Sequence, residues 1–191
     1  MIDPQNIVRY DYTDAELQEL LIFSVCVAGK KASTIAPRVH EVCGWSTHPF
    51  GILKLLSVCL EPFGCGLAGI LKDAGIGCFN QKAETIQQIL DSGIDLRTCS
   101  VGDLENIKGI GPKTARFFIM SSRKNVRFAT LDTHVLRFLR DKGINAPKST
   151  PSGKKYLTLE QEYLKMVPDD KTPAEFDLQI WKQYSNKKVN K

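Results

Sequence analysis

Residues 104–140 read LENIKGIGPKTARFFIMSSRKNVRFATLDTHVLRFLR. Leu104 and Ile107 share one side of a short amphipathic helix, which ends in a tight turn at Gly109-Ile110-Gly111. Pro112 restarts the chain as a helix, because proline is tolerated at the first helical position and the glycines permit a sharp turn. Ala115, Phe118 and Ile119 fall on one apolar face of that second helix, with Lys113 in its first turn. Helix, Gly-x-Gly turn and helix together aim several unpaired backbone N–H groups outward. Such a cluster, backed by a helix N-terminus, suits a phosphate. Asp132, 19 residues after Lys113, stands at an expected N-cap, followed by a helix carrying Val135, Leu136 and Leu139.

Charge follows the same stretch. The chain of 191 residues has a formal net charge of +5. Residues 100–142 hold nine Lys/Arg against four Asp/Glu, so the remainder sums to zero. The excess positive charge lies on the hairpin and the helices beside it, as expected of a surface that binds a nucleic-acid backbone. Hydrophobic content of 42% with 25% charged residues is that of an ordinary globular protein with a sizeable core. No signal pattern and no membrane-length apolar run are present, which sets the expectation of an intracellular protein without a membrane partner, and association with DNA would put it at nucleoid or nucleus. The six cysteines, Cys26, Cys43, Cys59, Cys65, Cys78 and Cys99, form no C-x-x-C pair and read as reduced, mostly buried thiols.

The rest of the chain reads as further helices. Thr13-x-x-Glu16 is a capping box, and Leu17, Leu20, Leu21, Ser24, Val25 and Ala28 trace one face up to Gly29. Helical runs follow over Ala32 to Val42, Phe50 to Leu60 (stopped by Glu61-Pro62), Leu67 to Asp73 and Ala83 to Leu90. Ser100-x-x-Asp103 caps the first hairpin helix. Beyond a loop at 145–153, Lys155 to Met166 is amphipathic, and Thr172-Pro173-Ala174-Glu175 opens a last helix with Phe176, Ile180, Trp181 and Tyr184. Ser185 to Lys191 reads as a frayed basic tail. No alternating strand pattern appears, so the fold class is all-α.

GIGPKTA followed by LDTHVLR resembles the helix-hairpin-helix DNA glycosylases related to endonuclease III and 8-oxoguanine DNA glycosylase. Lys113 falls where that family has its nucleophilic lysine, and Asp132 where it has its catalytic aspartate. The resemblance implies two helical lobes, here 13–126 and 1–12 plus 127–191, with an active-site cleft between them. It implies duplex DNA contacts at Gly109, Ile110, Gly111, Thr114, Lys30, Lys31 and His134. Gly77-Cys78-Phe79-Asn80-Gln81-Lys82-Ala83-Glu84 is similar to the family stretch whose apolar residue wedges into the base stack, which puts Cys78, or Phe79, in that role. Cys26 or Val27 stands near the position that fills the hole left by an extruded nucleotide. FDLQIW, with Asp177 and Trp181, resembles the base-pocket helix of compact archaeal-type 8-oxoguanine glycosylases, which also end in a lysine, as here at Lys191. Phe117 and Arg116 are further pocket candidates. Relatives with an iron–sulfur cluster carry four C-terminal cysteines; this chain has none after Cys99, so no cluster, metal or other cofactor is expected.

The chemistry fits those residue types. Breaking an N-glycosidic bond puts positive charge on the sugar, which a nearby carboxylate stabilises. An uncharged amine can attack C1′, form a Schiff base and promote β-elimination. A lysine in that role must first lose its proton, which desolvation and a helix N-terminus both favour. The expectation is a monomeric bifunctional glycosylase and AP lyase acting on oxidised bases, 8-oxoguanine or an oxidised pyrimidine. The rivals are a non-catalytic hairpin module that binds duplex DNA and an AP lyase with little base-removing activity.

Overall fold

The computed structural model describes residues 1–44, 48–60 and 66–185, the side chains of 56–60 excepted. The side chain of Cys59, together with Cys65, the Glu61-Pro62 stop and the tail with Lys191, lies outside the described residues. Among those described there are ten α-helices and no strand, as the hydrophobic periodicity implies. No helix among them is long and apolar enough to cross a membrane.

The chain forms two compact units, Met1–Pro4 with Asp11–Gly111, and Gln5–Tyr10 with Pro112–Lys191. The division at Gly111 differs from the expected boundary after Val126: the helix carrying Lys113 packs with the C-terminal helices, and the lead-in is shared between the units. Periodicity marks where a helix has an apolar face but does not say which partner covers it.

The first unit is built around α1 (Asp14–Cys26), which packs against α2 (Ala32–Val42), α3 (Pro49–Leu60) and, later in the chain, α5 (Phe79–Ser92). The Thr13–Glu16 capping box is present at its start. Leu20, Leu21, Ile22 and Phe23 are all essentially inaccessible, so α1 is covered on every side rather than along one stripe. Glu19 is buried on it too and accepts from the Ile2 N–H, with His40 Nδ1 at 3.0 Å. The short α4 (Leu67–Asp73) packs on α5. α5 starts four residues before the expected Ala83, because Cys78 takes a left-handed conformation (φ 57°) and turns the chain into the helix at Phe79. Lys82, buried on α5, donates to the Cys26 carbonyl at 2.7 Å and so satisfies the C-terminal end of α1. α6 (Val101–Glu105) closes the unit.

The second unit contains α7 (Pro112–Ser122), α8 (Thr133–Asp141), α9 (Gly153–Leu164) and α10 (Pro173–Ser185). Its core gathers Leu131, Val135, Leu136, Phe138 and Leu139 with Tyr156, Leu159, Tyr163, Phe176, Ile180 and Tyr184. Phe138 meets Phe176 and Tyr184 edge-on, at centroid distances of 5.6 and 6.2 Å. The Thr172–Glu175 box caps α10, with Thr172 N–H to Glu175 Oε2 at 2.7 Å. The lead-in joins this unit through the Arg9 N–H to the Ser121 carbonyl, 3.0 Å, and the Tyr10–Thr172 hydroxyl pair, 2.9 Å.

Candidate active site

The glycine turn is held from beneath within the first unit. Ser100 and Asp103 form the expected box at the start of α6, and the Ser100 N–H and hydroxyl lower the Asp103 carboxyl below its ordinary range. Ile110 is buried, its N–H bonded to the Ile107 carbonyl, while the Lys108 N–H donates to Gln88 Oε1 at 2.9 Å. Gly109 sits at φ +97°, and a Cβ there would collide with Thr85 Oγ1 on α5. Gly111 is exposed, with open space where a side chain would stand. With its side chain buried and its N–H taken by Ile107, Ile110 has no free donor for a phosphate and serves to seat the turn.

Elsewhere in that unit Lys30 and Lys31 are exposed beyond the end of α1. Cys78 is exposed and Phe79 half-buried, so the thiol rather than the ring projects from the turn before α5. A non-glycine residue at positive φ is strained, and Cys78 is the one such residue among those described. Cys26, a candidate for filling the hole, is fully buried with its thiol pushed up to about 12 by desolvation. It therefore offers no surface, while Val27 beside it is half-buried.

Within the second unit, α7 buries Ala115, Phe118 and Ile119, as its periodicity implies. Thr114 is buried as well, so it has only its backbone to offer a phosphate. Lys113 is half-buried in the first turn, its ammonium 5.9 Å from the centre of the Phe117 ring. Asp132 is the N-cap of α8: its Oδ1 accepts from the N–H groups of His134 and Val135, both at 2.8 Å. Two bonds to one oxygen fix the carboxyl plane and turn the other oxygen away from the helix. His134 enters this arrangement through its backbone.

Asp177 on α10 is influenced by both Lys113 and Asp132. Its Oδ1 is shut off from solvent and has no hydrogen-bond partner among the described residues. Burial pushes its carboxyl well above the usual carboxylate range; the charge of Asp132 adds to that rise, and the Lys113 ammonium opposes it. Lys113 and Asp132 thus both lie within electrostatic reach of one buried carboxyl. Tyr163 shares the neighbourhood, its phenol held protonated by burial and by Asp177 and Asp132, while its hydroxyl donates to the Pro173 carbonyl at 2.9 Å. Trp181, half-buried, follows Asp177 by four residues and so lies on the same face of α10.

Arg116 does not line a pocket. It is buried and ion-paired through Nε to Glu160 Oε1 at 2.8 Å, with its guanidinium 4.7 Å from the Tyr156 ring centre. Glu160 escaped the sequence reading, and Tyr156 stood in it only as part of the apolar face of its helix. Both occupy ordinary-looking positions on an amphipathic helix, and only a glutamate on the apolar side of α9 hints at a buried partner.

With this geometry in place, comparison with known proteins gives consistent results. Residues 67–170, more than half of the chain, match the model of the 8-oxoguanine DNA glycosylase family. Among solved structures, the 8-oxoguanine DNA glycosylase of Thermotoga maritima is 26% identical, with a TM-score of 0.68 over 96% of this chain and 88% of that one. The 8-oxoguanine DNA glycosylase of Methanocaldococcus jannaschii shares the fold at 24% identity, with a TM-score of 0.70 over 96% of this chain and 85% of the other.

Proposed function

Because the chain belongs to the 8-oxoguanine DNA glycosylase family, we propose that it is a bifunctional enzyme, excising 8-oxoguanine from duplex DNA and nicking the strand through a Schiff base on Lys113. The observation that carries this reading is the electrostatic meeting of Lys113 and Asp132 at the buried carboxyl of Asp177. The target nucleotide is extruded from the duplex, with Cys78 following it into the stack and the hairpin backbone holding phosphates. Trp181 and Phe117 supply faces for the extruded base. The unpaired Asp177 oxygen supplies an acceptor for one of its N–H groups, since a buried carboxyl without a partner is costly.

Lys113 first gives up its ammonium proton to solvent; the free amine then donates its electron pair to C1′ as the C1′–N bond breaks, and the departing base takes up a proton. Positive charge gathers on the sugar in that step, and the Asp132 oxygen not engaged by α8 is left to stabilise it. Opening of the sugar ring gives an imine between Lys113 and C1′. Loss of a C2′ proton then expels the 3′ phosphate, and water releases the product and regenerates the lysine. The enzyme works in this scheme as a monomer on double-stranded DNA.

The test is borohydride trapping on duplexes carrying one 8-oxoguanine, one oxidised pyrimidine or one abasic site. Wild type should form a covalent adduct on the 8-oxoguanine and abasic duplexes, and Lys113→Gln none. An adduct that persists in Lys113→Gln removes the assigned nucleophile. Cleavage confined to abasic DNA and unchanged by Asp132→Asn would favour a simple AP lyase.

A further inference from the structure

We infer that Glu160 is a positioning residue for this reaction, clamping the helix that carries Lys113 to the segment that delivers Asp132. The inference rests on the assignment of those two residues above. Glu160 Oε1 accepts from Arg116 Nε on α7 and from the Ala129 N–H, both at 2.8 Å. One carboxylate oxygen therefore joins two stretches of chain that reach the site from different directions. Arg116 extends the clamp toward the nucleophile, because its Nη1 donates to the Pro112 carbonyl, 3.3 Å away and one residue before Lys113. Tyr156, one turn before Glu160 on α9, extends it toward the carboxylate. Its hydroxyl donates to the Ala129 carbonyl at 2.7 Å and accepts from the Leu131 N–H at 3.3 Å, next to Asp132.

Stability alone does not account for this arrangement. The side chains of Arg116 and Glu160 are 8% and 5% exposed, and a buried ion pair is commonly matched or bettered in stability by apolar side chains of similar volume. Charges kept in such a place are better explained by the geometry they impose. Here the backbone groups of Pro112, Ala129 and Leu131 that these side chains engage lie within three residues of Lys113 or Asp132. Attack at C1′ requires both groups to be set within a fraction of an ångström, and misplacement by about 1 Å can cost on the order of 100-fold in rate. Glu160 touches neither DNA nor the reacting atoms in this scheme; it acts through the backbone.

The experiment compares single-turnover base release with affinity for the same duplex, at temperatures where circular dichroism shows each variant folded. Glu160→Ala should lose ~100-fold or more in base release, while affinity stays within about threefold. Glu160→Gln keeps an oxygen for both N–H groups and should recover to within about tenfold of wild type. If Glu160→Ala does not fold, the double variant Arg116→Met, Glu160→Leu replaces both charges with apolar bulk and should fold yet remain slow. Wild-type base release in either folded variant overturns the inference, as does a loss fully accounted for by weaker binding. Lys113→Gln and Asp132→Asn run alongside separate the two levels. If they retain activity, the assignment beneath the inference has failed; if they are inactive while the Glu160 variants are normal, only the inference has.

Discussion

Gly109→Ala tests whether the hairpin is as closely seated on α5 as the structure has it. The backbone at position 109 has φ +97°, where an alanine costs roughly 1–2 kcal/mol relative to glycine. The new Cβ would clash with Thr85 Oγ1 and lie 3.1 Å from Thr85 Cβ and 3.3 Å from Cγ2. Thr85 is 4% exposed and its hydroxyl donates to the Gln81 carbonyl at 3.0 Å, so it cannot simply swing into solvent. Turning it aside gives up that bond, worth about 1 kcal/mol, or else shifts the hairpin at a comparable overpacking cost. The sum is about 2–3 kcal/mol of lost stability. Thr85→Ala should remove the Oγ1 and Cγ2 clashes and leave only the Cβ contact. The double variant should therefore be less destabilised than the two single changes added together, by about 1 kcal/mol. Urea unfolding of the four proteins measures each quantity. A Gly109→Ala cost below about 1 kcal/mol, or strict additivity, would show that the turn does not press on Thr85 and would refute the reasoning.

Three further outcomes follow from the second unit. Asp177 is a carboxyl whose native pKa lies above its unfolded value, so its ionisation opposes folding; native stability is unaffected by it below about pH 4 and falls as pH rises toward the raised value, by at most about 1.4 kcal/mol per pH unit. Asp177→Asn should therefore become more stable than wild type as pH increases through that window while excising 8-oxoguanine poorly; denaturation curves with the same pH dependence in both proteins would contradict this. Asp132→Asn keeps a good N-cap, whereas Asp132→Ala surrenders both bonds to α8 and about 1 kcal/mol; both should lose base release, and only the alanine variant should melt earlier. Lys113→Gln should bind an abasic-site duplex within several-fold of wild type, measured by fluorescence anisotropy, because the hairpin backbone is untouched; a collapse in affinity would make Lys113 chiefly an anchor.

Much of this protein can be read locally. The capping boxes at Thr13, Ser100 and Thr172, the Gly109 turn and the proline that opens α7 are contacts over three or four residues, so neighbouring letters are enough to imply them. The same holds for Asp132 as the cap of α8, and the all-helical class follows from the period of the apolar positions. What tertiary structure decided are the meetings between distant residues. It placed Asp177, 45 residues beyond Asp132, in reach of both Asp132 and Lys113. It also took Arg116 out of the expected pocket and gave it to Glu160, and it moved α7 across the unit boundary. An apolar stripe says that a helix face will be covered, and a charge says that it needs a partner or water. Neither says which residue, tens of positions away, the folded chain will bring there.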